Sequence, residues 1–204
     1  MHLTHPFVLA SASPRRSHLL AQAGFEFSVH PSNVAEVYDS GDDPESVVSR
    51  LATAKADDIA RQFPDSIVLA ADTIVVLDDE ILGKPDTPED AICMLEKLSG
   101  RTHTVFTGFA IHLESRRMAT VDVESTRVTM DNAPLELIER YVATGSPLDK
   151  AGSYGIQDMG AFLVSRIEGD FYTVMGLPLH RLYKRLTMSF NEYIVLRDYQ
   201  YEKE

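Results

Sequence analysis

The run Ile67-Val-Leu-Ala-Ala-Asp-Thr-Ile-Val-Val-Leu77 constrains the fold more than any other segment of this chain. Nine of its eleven residues are apolar or alanine. It therefore reads as a strand buried on both faces, the kind found inside an α/β sheet. Its one charge is Asp72. Taking an ionised carboxylate out of water costs on the order of several kcal/mol unless a cation, a proton or strong donors compensate. Two readings are open: Asp72 lies at a solvated strand end, or it belongs to a charged site. The chain supplies partners for the second. Ser13-Pro-Arg-Arg16 follows the first strand, Gly83-Lys-Pro85 lies just downstream, and Asp149-Lys-Ala-Gly-Ser-Tyr-Gly-Ile-Gln157 comes later. A carboxylate facing a ring of cations points to a metal–phosphate site.

With 204 residues the chain is long enough for one good core. The expectation is a single α/β domain over residues 1–190 and a polar, aromatic tail over 191–204. A net charge of −12 argues against nucleic acid as a partner, because no broad basic face is available. A small phosphorylated ligand needs only a few focused cations. Cys93 is the single cysteine, which leaves no internal disulfide or cysteine-based zinc site, and it is expected to pack as a small hydrophobe on a helix. No apolar run approaches the roughly 20 residues of a membrane span. Phe7-Val-Leu-Ala10 is too short for a signal sequence and lacks a basic flank. The expected location is the cytoplasm.

Along the chain, Phe7–Ala10 predicts a short strand. Ser13 as N-cap, Pro14 as first helical residue and Gly24 as stop predict a helix between them. That arrangement sets backbone N–H groups and Arg15 and Arg16 at a helix N-terminus, where anions bind. Phe25, Phe27 and Val29 alternate and predict a second strand. Glu36 falls in a polar loop. Asp43-Pro44 opens a helix to about Arg61, with Val47, Val48, Leu51, Ala54 and Ile59 on its inner face and Lys55 as a solvated lysine. Thr87-Pro-Glu-Asp90 begins a capped helix ending at Gly100. Residues 102–130 predict a long β-hairpin. A helix from Pro134 to Gly145, a strand near Ala161–Ile167 and a last helix from Pro178 to about Phe190 follow. Such a mixture predicts a mixed α/β sheet, bent or split into two lobes around a cleft.

The charged residues of these separate segments form one inventory. Arg15, Arg16, Lys55, Lys84 and Lys150 can neutralise a polyphosphate, and Glu36 and Asp72 can hold a divalent metal, Mg²⁺ or Mn²⁺. No Gly-x4-Gly-Lys-Ser/Thr occurs, against a P-loop, and no zinc-binding or acyl-hydrolase motif is present. His103 and His112 read as structural or exposed.

The ordered set Leu9-Ala-Ser-Ala-Ser-Pro-Arg-Arg16, Ala71-Asp-Thr-Ile-Val75, Gly83-Lys-Pro85, Thr107-Gly108, Asp149–Gln157, Ile167-Glu-Gly169 and Gly176-Leu-Pro178 resembles the Maf family of nucleoside triphosphate pyrophosphatases. Tyr154-Gly-Ile-Gln157 is similar to the branch that prefers dTTP and UTP. The resemblance implies an inosine-triphosphatase-like fold of two lobes around a cleft. It implies hydrolysis of a nucleoside triphosphate to monophosphate and pyrophosphate with a divalent metal, and a possible homodimer. It carries Asp72 over as catalytic acid/base and Arg15, Thr73 and Gln157 as positions tied to substrate choice. Two departures stand out: Asn33-Val-Ala35 replaces an acidic residue before Glu36, and Asp158 stands where a small residue is expected.

Release of pyrophosphate means attack on the α-phosphorus, with catalysis by positioning and charge stabilisation. Asp72 then binds metal or activates water, while Ser13, Arg16, Lys55 and Lys84 hold phosphate oxygens. The Gln157 amide, one acceptor and one donor, matches the N3–H and O4 edge of uracil and thymine. A flipped amide matches cytosine equally, so neighbours must fix its orientation. Two rival readings are a nucleotide-binding regulator linked to septum formation, without turnover, and a phosphatase that releases orthophosphate.

Overall fold

The computed structural model describes residues 2–39 and 41–195. In chain order the strands are β1 (His2–Leu3), β2 (Phe7–Leu9), β3 (Ser28–Val29), β4 (Ile67–Leu77), β5 (Glu80–Leu82), β6 (Thr102–Leu113), β7 (Met118–Met130), β8 (Val164–Glu168) and β9 (Ile194–Val195). The α-helices are α1 (Pro14–Gln22), α2 (Pro44–Ala60), α3 (Pro88–Leu98), α4 (Leu135–Val142), α5 (Phe171–Met175) and α6 (Leu179–Ser189).

Seven strands form a mixed sheet in the order β3-β2-β4-β6-β7-β8, with β5 also paired to β4. As its apolar run requires, β4 is buried on both faces. Val68, Ala70 and Ile74 pack under α2, while Leu69, Ala71, Val75 and Leu77 enter the larger core with residues of α1, α3, α4 and α6. Burying a side chain the size of Leu69 or Ile74 stabilises by roughly 1.5–3 kcal/mol. Helix α2 lies unusually close to the sheet. A Cβ at Gly108 of β6 would sit 2.7 Å from the Val48 carbonyl oxygen, so only glycine allows this approach.

The pairing of β4 is what positions the site. One edge pairs with β6 from Val68 to Val76. The other edge pairs with β2 at Ile67–Leu69 and with β5 at Val75–Leu77. Between those two partners, among the described residues, 70–74 have no strand beside them on this edge. Strand β2 ends there, and its chain turns away into α1. Ligands of open α/β sheets bind at such breaks in strand order.

The hairpin of β6 and β7 and the capping box of Thr87 and Asp90 form as the sequence predicts. Five expectations change. The strand expected over Phe25–Val29 is only Ser28–Val29, paired with Val8 and Leu9 of β2, because Phe25 and Phe27 turn their rings into the core instead. The strand expected from Ala161 begins at Val164, since Met159–Leu163 is a 3₁₀ turn. Cys93 is on α3 as expected but is exposed rather than packed. The inner face of α2 carries Ala52 and Lys55 rather than Ala54. Lys55 is therefore buried, not solvated. The five-residue helix α5 is an addition, capped by Asp170 at its start and by left-handed Gly176 at its end.

Asn191–Tyr193 form a 3₁₀ turn, and β9 pairs with β1; the rest of the expected tail, 196–204, lies outside the described residues. Among the described residues no helix is long and apolar enough to cross a membrane.

Candidate active site

The unpaired edge of β4 opens into a cleft of about 350 Å³. All ten side chains singled out from the sequence line it: Ser13, Arg15, Arg16, Glu36, Lys55, Asp72, Thr73, Lys84, Lys150 and Gln157. Asp72 sits in the middle of β4 and is 5% exposed, so the solvated-end reading does not hold. Successive strand residues point to opposite faces. Asp72 therefore faces α2, and Thr73 faces the first turn of α1.

On the α2 side the charges alternate. Lys55 Nζ donates to Asp72 Oδ1 in a short contact and to Glu36 Oε1 at 2.8 Å. Lys84 Nζ donates to Glu36 Oε2 at 3.1 Å. Burial pushes the Glu36 carboxyl up, but the hydrogen bond and charge of Lys55, followed by those of Lys84, outweigh it and hold the pKa down at about 2. The phenol of Tyr38, also on the cleft wall, is pushed up by burial and by the charges of Asp72 and Glu36.

On the α1 side, Ser13 holds the N-cap position without a side-chain capping bond. Its own N–H donates to Ser11 Oγ at 3.2 Å. Arg16 is held by neutral acceptors: the Gly176 carbonyl at 2.9 Å, Ser11 Oγ at 3.1 Å and Thr73 Oγ1 at 3.1 Å. Among the described residues it has no carboxylate partner, so its charge is left for a ligand. Arg15 donates to Asp149 Oδ2 at 3.0 Å. Lys150 is 7% exposed and tied to Asp149 Oδ1 at 2.7 Å and to Ser146. The expected fifth cation is thus engaged within its own loop.

Gln157 is exposed at the rim of the cleft, and its amide has no hydrogen-bond partner among the described residues. Its loop is fixed instead through the backbone. The Gly155 N–H donates to Tyr141 Oη at 2.9 Å, and Tyr141 Oη–H donates to Asp158 Oδ1 at 3.0 Å. Asp158 also accepts from the Gly160 N–H at 2.9 Å and from Ser146 Oγ at 2.7 Å. These contacts account for an acidic residue where a small one is expected.

His103 and His112 are structural, as expected: one meets the Tyr154 hydroxyl at 2.7 Å and the other Asp57 at 2.9 Å. The sequence reasoning missed Ser11 and Tyr38 on the cleft wall. Ser11 had a signal, its place in the Ser-x-Ser-Pro turn; Tyr38 had none. Among the described residues no group of three or more His, Cys, Asp or Glu side chains gathers to hold a metal. Three carboxylates line the cleft, Asp72, Glu36 and Asp149, and the last is tied to Arg15 and Lys150.

The profile of the Maf-like protein family matches residues 6–189. The chain belongs to the Maf family. Among similar curated proteins, the dTTP/UTP pyrophosphatase of Desulfotalea psychrophila is 48% identical over 181 residues, 89% of this Maf-family chain and 93% of that protein. The dTTP/UTP pyrophosphatase of Moorella thermoacetica is 51% identical over 172 residues, 84% of this chain and 89% of its own. That of Shouchella clausii is 48% identical over 180 residues, covering 88% and 93%. The family profile, over residues 6–189, spans every residue that lines the cleft of this Maf-family chain.

Proposed function

We infer that this chain is a nucleoside triphosphate pyrophosphatase that hydrolyses dTTP and UTP to the monophosphate and pyrophosphate. The observation that carries the reading is the placement of Asp72. A buried carboxylate stands at the unpaired edge of β4, with Lys55, Lys84 and Arg16 around it, in a chain about half identical to proteins named for this activity.

The residues divide by chemistry. Arg16, Lys84 and the Ser13 hydroxyl receive phosphate oxygens, the arginine by its planar fork and the lysine as a point charge. Asp72 takes the proton of the water that attacks the α-phosphorus. Lys55 holds Asp72 in place and adds positive charge beneath the triphosphate. Thr73 and Gln157 serve base and sugar recognition, with Arg15 tying the α1 end of the cleft to the Asp149 loop.

A divalent cation, Mg²⁺ or Mn²⁺, fits this donor set. Asp72 and Glu36 already converge on one cation, the Lys55 ammonium, and such ions take one or two carboxylates together with water and phosphate oxygens. Bound there, the ion would neutralise charge on the departing pyrophosphate. A cytoplasmic location goes with a nucleoside triphosphate substrate. The reading of a regulator without turnover gains nothing from the cleft, because binding alone has no use for a buried base.

The test is product analysis over a panel of nucleoside triphosphates with Mg²⁺ or Mn²⁺ added. UTP and dTTP should give equal amounts of monophosphate and pyrophosphate, and chelator should stop both. Orthophosphate with a nucleoside diphosphate would make the protein a phosphatase. Tight nucleotide binding with no product would favour the regulator.

A further inference from the structure

Thr107 of β6 is fully buried behind the cleft, and none of the roles above uses it. Its Oγ1 lies 2.8 Å from the Thr173 carbonyl oxygen and 2.9 Å from Thr73 Oγ1. A carbonyl only accepts, so the single hydroxyl proton of Thr107 is spent there. Thr107 must then accept from Thr73, and the Thr73 proton points away from the cleft. Arg16 Nη2 donates to Thr73 Oγ1 at 3.1 Å from the other side. Thr73 therefore meets the cleft as an acceptor only. A phosphate oxygen, itself an acceptor, gains nothing from it; an N–H or O–H does.

The far end of this relay is anchored. Asp170 Oδ2 accepts from the Thr173 N–H at 2.7 Å and from Thr173 Oγ1 at 2.8 Å. Thr126 in turn clasps Asp170, donating to its carbonyl at 3.0 Å and accepting from its N–H at 2.9 Å. The near end is kept open by Gly176. A Cβ there would lie 3.3 Å from Thr73 Oγ1, on a backbone with φ of +100° that side chains rarely adopt.

We propose that Thr107 is a positioning residue for substrate choice: by taking the proton of Thr73 it turns Thr73 into a fixed acceptor for an N–H or O–H of the bound nucleotide. This rests on the nucleotide reading given above. Away from the phosphates, UTP and dTTP share two such donors, N3–H of the base and the 3′-hydroxyl of the sugar. In Thr107→Val the Thr73 hydroxyl is free to turn its proton into the cleft, and the acceptor is lost.

The experiment compares kcat/KM for UTP, N3-methyl-UTP and 3′-deoxy-UTP on wild type, Thr107→Val and Thr107→Ser, following pyrophosphate release. Thr107→Val should lower kcat/KM for UTP by about tenfold, the scale of one hydrogen bond, and Thr107→Ser should restore it. The loss should shrink towards nothing on the analogue that lacks the donor. N3-methyl-UTP showing this identifies the base, 3′-deoxy-UTP the sugar. If Thr107→Val does not fold, Thr73→Val should give the same pattern by removing the acceptor itself. Equal losses on all three nucleotides, or a serine variant as poor as the valine one, would overturn the relay alone. Wild-type protein that releases no pyrophosphate from UTP would overturn the nucleotide reading, and the relay's role with it.

Discussion

Lys55 of α2 and Asp72 of β4 form an ion pair at the base of the cleft, their side chains 10% and 7% exposed. The pair exists because Gly108, the residue that pairs with Asp72 in register, lets α2 settle closely onto the sheet. Each charge removes the desolvation cost of the other, and Glu36 reaches the same ammonium from the cleft side at 2.8 Å.

Breaking this pair from one side should be costly, because it leaves an uncompensated buried charge. Lys55→Met should destabilise the fold by about 3–5 kcal/mol and abolish turnover. Asp72→Asn leaves Lys55 paired with Glu36, so it should keep the fold and lose turnover. The double variant should recover much of the stability lost in Lys55→Met yet remain inactive. Urea denaturation with parallel rate measurements checks this; a double variant no more stable than Lys55→Met would contradict it.

Lys84 is half exposed, and among the described residues its ammonium pairs with Glu36 alone. As a phosphate contact it carries no base information. Lys84→Ala should cost roughly 1.5–3 kcal/mol of transition-state binding, equally for UTP, dTTP, CTP and GTP. A variant whose base preference changes instead would remove Lys84 from the phosphate clamp.

Gln157 offers an amide at the cleft rim that has no hydrogen-bond partner among the described residues. Gln157→Ala should lower kcat/KM for UTP and dTTP by about 1–3 kcal/mol and affect purine triphosphates less, narrowing the specificity ratio. An equal loss on every base would show that Gln157 only supports its loop.

The candidate site residues were legible as charged or polar positions in separate short segments, and the fold brings those segments to one cleft, with Ser13, Arg15 and Arg16 at the start of α1 and Asp72 and Thr73 in the middle of β4. The burial of Lys55 was legible too, and was misread. Val48, Leu51, Lys55 and Ile59 follow the three-and-four spacing of a buried helix face, and the lysine lies in that stripe. What the sequence could not reveal was pairing. The alternation of Phe25, Phe27 and Val29 is that of a strand, but strand length depends on the neighbour, and β2 pairs with Ser28 and Val29 alone. Nor could it show that Lys150 is engaged by Asp149 and Ser146, since that depends on how a glycine-rich loop closes.

Burial lowers the pKa of His103 from 6.5 to about 4. The unfolded chain therefore binds this proton first, and stability falls as pH drops from 6.5 towards 4, being fully present above 6.5. Between pH 7 and 5 the loss from this group should be about 2 kcal/mol. His103→Gln should lack that component in urea melts. An identical pH slope in wild type and variant would contradict the assignment.

Attack on the α-phosphorus, with Asp72 as the base, is the centre of the account. Hydrolysis of UTP in water enriched with ¹⁸O, followed by mass spectrometry of both products, tests it directly. The label should appear in the uridine monophosphate and not in the pyrophosphate, and Asp72→Asn should form neither labelled product at a measurable rate. Label found in pyrophosphate would place the attack on the β-phosphorus and contradict the mechanism.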